Sequence, residues 1–375
     1  MKNRIPKVII IILNFNSWQH TIECLESLYK IKYSNYGVIL IDNGSKDDSI
    51  EKIREYAAGK LKIKSDFFDY NKTNKPIEII EYTKDQVQDL NFINNFNEKA
   101  LILIKNDKNY GFTKGNNIGI QYTLKHYPSD YILLLNNDTI VDENFLNEMI
   151  NVAESVNSIG FVGAKTYYYK CQPSLLLKKF LHIRHPLNHF YKCNCKIENC
   201  KTVIQSVGCK QNLWTGNSSL ISSMQIDKGQ FNEDKIVDFI HGSCMLTKIE
   251  MIKEIGVLDK NFFSYREEND WCLRGKEHDW ESVVSHRAVI WHKGKGSTGG
   301  GNFRPLSEYY MTKNKFILMK KHSTALQKTF FLMYFFVYQF WFMMFIYFTR
   351  PFPNKPQVIK CFFRSVKDGL KVITK

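Results

Sequence analysis

The chain has 375 residues, with 52 lysines and arginines against 37 acids and a formal charge of +15. That length suits one large α/β domain with additions, or two domains. Nine cysteines, odd in number and mostly scattered, argue against a disulfide framework. The positive charge, much of it towards the carboxyl end, suits an anionic membrane surface and a doubly charged substrate. A nucleic-acid partner is disfavoured, because the strand ends described next are acidic and amide-rich, not basic. Lys2 and Arg4 are followed by Pro6 and then directly by a strand, so no secretory signal is expected and the catalytic part should stay in the cytoplasm.

In chain order, Val8 to Leu13 is a β-branched run that ends in Asn14, Phe15 and Asn16. Trp18 to Tyr29 follows with Ile22, Leu25 and Leu28 at helical spacing. A second apolar run, Val38 to Ile41, ends in Asp42, Asn43, Gly44 and Ser45. Residues 59 to 100 are polar and read as an insertion, loop with some strand or helix. The glycine-rich stretch Gly111 to Gly115 contains Lys114, and Asn116 and Asn117 start the helix after it. Ile132 to Leu135 reads as a buried strand that stops at Asn136, Asn137 and Asp138.

Right-handed crossovers place the three polar strand ends on one edge of a parallel sheet, where open α/β sheets bind ligands. Asp42 is the expected base or ribose contact, with Asn14, Asn16, Asn43 and Asn137 around the same nucleotide and Lys114 near its phosphates. Asp138 has two readings at this stage: a hard oxygen ligand for a divalent cation, or a cap for a helix starting near Asp142. The Gly111–Gly115 loop matches neither G-K-[ST] nor GxGxxG, which disfavours nucleotide hydrolysis and dinucleotide chemistry.

Residues 171 to 202 form a second insertion with Cys171, Cys193, Cys195 and Cys200, and Cys209 lies just beyond. The C-x-C-x4-C-x8-C spacing admits a zinc knuckle, but reduced surface cysteines are the favoured reading. Asp238 to Thr247 reads as a strand kinked at Gly242 and Ser243, and a helix from Lys248 to Ile255 follows. Next, Phe262, Phe263, Tyr265 and Trp271 surround the acids Glu267, Glu268 and Asp270. Such acids fit a solvated helix start or a walled pocket with raised carboxylate pKa. A last strand, Val283 to Trp291, ends in His292, and the glycine-rich segment 293 to 304, with Lys293, Lys295 and Arg304, is a candidate lid. Thr329 to Thr349 has no charge and is about long enough to span a bilayer. Val358 to Ile373 reads as a basic amphipathic helix on anionic lipid. Lysines 320, 321, 328, 360, 367 and 371 on both sides favour an in-plane or re-entrant anchor over a span.

The series ILNFN, LIDNGSKDDS, NYGFTKGNNIG and LLLNNDT resembles a family 2 glycosyltransferase, in particular the bacterial rhamnosyltransferase-like branch of cell-surface polysaccharide synthesis. The resemblance covers residues 7 to about 165 and resumes from about 203 to 322. It implies an α/β GT-A fold, with a Rossmann-like, mainly parallel central sheet flanked by helices and a C-terminal helical membrane anchor. Residues 1–305 would be the catalytic domain, with a donor half at 7–165 and an acceptor half at 203–305, and 306–375 the membrane-associated helices. The implied reaction is inverting transfer of a hexose, or a deoxyhexose such as rhamnose, from a nucleoside-diphosphate sugar to a glycan acceptor such as a polyprenyl-linked oligosaccharide. The resemblance also implies Mg²⁺ or Mn²⁺ held by Asp138 and His292 with Asn136 beside them, although N-N-D stands here where the family has D-x-D. In the family's acceptor motifs, Gly242 and Met245 fall in G-x-x-M-L. Glu267, Glu268, Asp270, Trp271 and Arg274 fall in the acidic motif, with Glu268 in the usual place of an aspartate base. Two alternatives stand beside this reading. A nucleotidyltransferase would need a basic glycine-rich loop after the first strand, which ILNFNSW lacks. A non-catalytic, membrane-bound glycan-binding protein would carry the same anchor with a degenerate site.

Overall fold

The computed structural model describes residues 4–89, 100–169, 202–294 and 304–374. β1 (Val8–Asn14), α1 (Trp18–Leu28), β2 (Tyr36–Asp42) and α2 (Ser49–Ala57) open the chain. β3 (Ile79–Thr83), α3 (Lys84–Gln88), β4 (Leu101–Lys105), α4 (Gly111–His126) and β5 (Tyr131–Asn136) complete the donor half's parallel strands. β6 (Thr139–Val141), α5 (Phe145–Ala153), β7 (Ile159–Tyr168), β8 (Ile204–Ser206), β9 (Cys209–Gln211) and β10 (Ser218–Leu220) follow. The acceptor half adds β11 (Lys235–Val237), β12 (Cys244–Lys248), α6 (Ile249–Ile255), α7 (Glu267–Lys276) and β13 (Glu281–His292). Three helices end the chain: α8 (Pro305–His322), α9 (Ala325–Thr349) and α10 (Lys355–Thr374).

The main sheet runs β11-β13-β7-β12-β5-β1-β2-β4-β3. β3, β4, β2, β1 and β5 are parallel, and antiparallel β12 joins β5 to β7. Both faces are covered, which explains the unbroken apolar run at the start of the chain. Val8, Ile10 and Ile12 enter one core, and Ile9 and Ile11 enter the other. Asn14 pairs with Asp42, and Leu13 pairs with Asn136, so the three polar strand ends do share one edge.

The stretch 59–100 contributes β3, an edge strand parallel to β4, and the short α3, in line with the strand or helix expected there, while residues 90–99 lie outside the described residues. Three expectations change. α4 begins at Gly111, so Asn116 and Asn117 lie on its second turn instead of at its start. The kinked strand expected at 238–247 is two pieces, because a turn at Gly242 and Ser243 precedes β12. Finally, α10 does not offer its apolar face to lipid. Val358, Phe362, Val366 and Ile373 are buried against α8 and α9, and Gly369 sits so close to Phe316 that a Cβ there would come within 2.5 Å of its ring.

Outward-facing apolar side chains instead run along α9. Leu326, Phe330, Met333, Val337, Trp341, Phe345 and Phe348 recur at three- and four-residue steps and are all exposed. The opposite face of α9 places Phe331, Phe335, Met343, Met344 and Tyr347 in a core shared with α8 and α10.

Candidate active site

At the donor edge the amides hydrogen-bond mainly to one another. Asn14 Nδ2 donates to Asp42 Oδ2 at 2.8 Å, Thr21 Oγ1 donates to Asn14 Oδ1 at 2.7 Å, and Asn137 Nδ2 donates to Thr21 Oγ1 at 2.9 Å. Asp42 also accepts from the backbone N–H and the hydroxyl of Ser45, at 2.9 and 2.6 Å. Asn43 donates to Asn109 Oδ1 and to the Gly111 carbonyl, and accepts from Asn106 and the Tyr110 N–H. Asn116 donates to Phe112 O, and Asn117 to Leu258 O. Of the predicted donor residues, Asn16 and Lys114 are exposed, and Asn16 Oδ1 caps the Lys46 N–H at 2.7 Å. Gly111 is required by its surroundings. Its φ is +80°, and a Cβ there would lie 2.5 Å from the Phe263 carbonyl oxygen.

The two halves of the cation pair meet through strand pairing. β13 runs antiparallel to β6, with His292 opposite Thr139, and this brings His292 Nε2 to 3.1 Å from Asp138 Oδ1. On the other side of the ring, His292 Nδ1 lies 2.9 Å from Gln205 Oε1. Donation from Nδ1 to Gln205 leaves the Nε2 lone pair facing a carboxylate oxygen. Two acceptors in contact call for a proton or a cation between them, and a hydrogen-bonded second nitrogen is the usual support for a ligating histidine. Among the described residues no group of three or more His, Cys, Asp and Glu side chains is placed to hold a metal. A cation bound here would therefore take its other ligands from substrate and water, a set that suits Mg²⁺ or Mn²⁺. Asn136 is half-buried beside the pair, and its N–H donates to Ser243 O. Asp138 does not cap a helix at Asp142, since α5 begins at Phe145.

His241 is a neighbour that reading the sequence missed. Its ring centroid is 5.5 Å from that of His292, and Nδ1 lies 2.8 Å from Ser243 Oγ. Burial, and then the charge of His292, push its pKa down to about 3, so it stays neutral at physiological pH. The only available signal was its place just ahead of the G-x-x-M-L stretch. The next residue, Gly242, faces the acids: a Cβ on it would lie 3.6 Å from Glu268 Oε1. Consecutive residues thus lie against His292 and against Glu268, which brings the two pairs into one neighbourhood.

Glu267 and Glu268 form the first turn of α7. Each has a buried carboxylate oxygen, Oε2, with no hydrogen-bond partner. Burial and then the charge of Glu268 push Glu267 well above the usual carboxylate range. Burial also raises Glu268, but backbone N–H groups and the Arg266 guanidinium oppose it. Two carboxyls whose surroundings separate their acidities suit one neutral and one ionised role. Asp270 is a different kind of group. It is fully buried and engaged by Arg274 at 2.9 Å, Lys321 at 2.6 Å and His322 at 2.9 Å. Against the effect of burial, His322, Arg274 and Lys321 hold its carboxyl down at about 2.

Other expected acceptor-side groups face the core. Trp271 packs against Phe161 and donates from Nε1 to Gly256 O, Met245 is buried in β12, and Arg274 also donates to Ile255 O and Val257 O. The aromatic wall divides likewise: Phe262 is buried among Leu273, Ile317 and Leu318, while Phe263 stacks on Tyr310 at 4.8 Å. Lys293 is tied to α1 instead of serving as a lid cation: its ammonium pairs with Glu23, and its N–H donates to Asp138 O. Lys295 and most of the expected lid lie outside the described residues, as do Cys171, Cys193, Cys195 and Cys200. Cys209 is buried in β9, and among the described residues it belongs to no group of three or more side chains placed to hold a metal.

Two family descriptions match the chain, Glycosyl transferase family 2 over residues 9–76 and Glycosyltransferase like family 2 over residues 77–305. The low-salt glycan biosynthesis hexosyltransferase Agl10 of Haloferax volcanii is 26% identical over 171 residues, covering 46% of this chain and 45% of that protein. Rhamnosyltransferase WbbL of Escherichia coli is 27% identical over 168 residues, covering 44% of this chain and 54% of that protein. The chain therefore spans about half the length of the curated relatives it matches. In fold it is similar to a structure of GalNAc-T7 with UDP, GalNAc and Mn²⁺, at a TM-score of 0.50 and 11% identity, over 92% of this chain and 58% of that one. With the second description alone reaching across more than half of its length, the chain belongs to the family 2 glycosyltransferases.

Proposed function

We propose that this protein is an inverting sugar transferase that moves a hexose, or a deoxyhexose such as rhamnose, from a nucleoside-diphosphate sugar to a glycan acceptor. The observation that carries this reading is the placement of the Asp138–His292 pair and the Glu267/Glu268 pair on either side of the dipeptide His241–Gly242. Asp138 and His292 would hold Mg²⁺ or Mn²⁺, which when bound neutralises the charge of the diphosphate. Glu268 takes the proton of the acceptor hydroxyl as its oxygen attacks the anomeric carbon, and the bond from that carbon to the diphosphate oxygen breaks. Glu267, held neutral by burial and by the charge of Glu268, leaves Glu268 as the ionised member of the pair, while Asp270 is tied up by Arg274, Lys321 and His322. One displacement with one base inverts the anomeric centre.

The test is turnover of a panel of UDP-, dTDP- and GDP-sugars with Mn²⁺, with and without EDTA, in the presence of glycan acceptor extract. Glu268→Gln should lower transfer by roughly 10²–10⁴-fold, the worth of a general base, with donor binding nearly unchanged. Release of nucleoside diphosphate from none of the panel by the wild type would sink the transferase reading and favour a glycan-binding role.

The reading extends to place. The outward face of α9 supports an in-plane anchor at the cytoplasmic face of the membrane, where a lipid-linked oligosaccharide would present its glycan. Replacing Trp341 and Phe345 together by serine should move the protein from floating with anionic vesicles to the soluble fraction. Flotation equal to wild type would remove α9 from the anchor.

A further inference from the structure

Two cations, half-buried Arg266 beside Glu268 and buried Lys315, form no ion pair among the described residues. Arg266 immediately precedes α7 in the left-handed region (φ 72°), and so does Tyr265 before it (φ 71°). Side chains with a Cβ rarely adopt that conformation, and here α8 holds it in place. Asn314 Nδ2 donates to Ser264 O at 2.9 Å and to Tyr265 O at 2.8 Å, while the Tyr265 hydroxyl is 2.9 Å from Ser307 Oγ. The turn sends Arg266 alongside Glu268, where its Nε reaches only the Met311 carbonyl, at 3.3 Å, and its Nη1 is buried with no partner.

Behind it lies Lys315, 5% exposed, whose ammonium donates to two neutral amides, Asn217 Oδ1 at 2.7 Å and Gln339 Oε1 at 3.0 Å. Burial and then the charge of Arg266 push Lys315 well below the ordinary lysine range. Burial takes Arg266 to about 10 even though the Glu268 charge opposes it. Glu308, the acid whose charge acts on Lys315, is itself pushed up by burial, which favours its neutral form. The charge of Glu268 only partly offsets the burial of Arg266, and Lys315 forms no ion pair among the described residues; burying cations so thinly countered is costly, and an anion lodged beside them removes that cost. Gln339 belongs to the π-helical turn of α9, Phe335–Gln339, so Lys315 is joined to the helix whose far face is apolar and exposed.

We propose that Arg266 and Lys315 form an anion subsite on the acceptor side of the cleft, which takes a phosphate or diphosphate carried by the acceptor beside Glu268. This rests on the transferase reading above. The shared chemistry is a phosphoryl group, either of a lipid headgroup or as free phosphate, and the arms of the test separate the two.

The full chain is titrated calorimetrically in EDTA, which silences the Asp138–His292 pair, with octyl phosphate, inorganic phosphate and the neutral octyl glucoside. Octyl phosphate should bind, octyl glucoside should not, and Arg266→Gln should weaken octyl phosphate by about tenfold or more, the worth of a charge-assisted hydrogen bond. Arg266→Lys, which keeps the charge, should recover part of the loss. A Lys315→Met protein that melts as wild type should show a loss of the same order. Equal affinity for inorganic phosphate would assign the subsite to free phosphate, and preference for the alkyl ester to a lipid headgroup. Wild-type affinity for octyl phosphate in Arg266→Gln would overturn the proposal. Nucleotide-sugar binding with Mn²⁺, measured in the same variants, should not change. Its absence in wild type would count against the transferase reading and leave the subsite to be judged by octyl phosphate alone.

Discussion

The two sides of the cleft treat their buried polar groups in opposite ways. On the donor side Asn14, Asp42, Asn43 and Asn137 are tied to Thr21, Ser45, Asn106 and Asn109, and the buried atoms left without partners there, such as Asn106 Oδ1 and Asn117 Oδ1, are neutral. On the acceptor side Asn314 Oδ1 is also a neutral atom without a partner, but Glu267 Oε2, Glu268 Oε2 and Arg266 Nη1 belong to ionisable groups. An unmet charged group costs far more than an unmet amide, so a fold keeps one where chemistry or binding uses it. The donor-edge amides are joinery that shapes the crevice, whereas the acceptor-side acids and cations are held ready for a partner.

That contrast makes opposite-signed predictions for removing a polar group. The larger effect is expected at the donor edge. Asn14→Leu strips a donor from Asp42 and an acceptor from Thr21, both buried, and should cost about 2–4 kcal/mol of stability. Chemical denaturation with the slope of the transition unchanged would measure it. A loss under about 0.5 kcal/mol, within the range of an ordinary surface substitution, would show that the amide network is not structural and would return Asn14 to the list of direct donor contacts.

Much of the fold was legible because β-branched runs that stop at polar residues have few other readings. Val8 to Leu13, Val38 to Ile41 and Ile132 to Leu135 are all strands, and Asp138 and His292 do meet, although 154 positions separate them in the chain. Roles within the polar clusters were less legible. Whether Asn14 faces a ligand or Thr21 depends on partners that no local pattern encodes. The same holds for Asp270, which looks like its neighbours Glu267 and Glu268 in sequence. Arg274, Lys321 and His322, the last two on a helix placed beyond the catalytic domain, bind it. α10 reads as amphipathic and is, but periodicity says only that a face is apolar, and here α8 and α9 take that face. The Tyr265–Arg266 turn carries no sequence mark at all, because its backbone is imposed by Asn314 from α8.

The smaller, opposite effect belongs to Glu267. Its folded pKa is raised, so between its unfolded value near 4.5 and its folded value the native state holds the extra proton. Stability from this group is thus fully present below the unfolded pKa and declines as pH rises. Asp270, three residues on, has the reverse sign: its folded pKa is depressed to about 2, so its contribution is present above about 4 and is lost as pH falls towards 2. Glu267→Gln removes only the first of these. The variant should match wild type near pH 4 and exceed it at pH 7 by about 1 kcal/mol, roughly 2 °C in melting temperature for a chain of this size. Melting curves from pH 4 to 8 read the difference directly. A gain that grows with pH fits an acid kept buried at a cost to stability, as expected where a group is retained for function. A loss that grows with pH would mean that Glu267 is ionised and paired in the native protein, and would move the neutral role to Glu268.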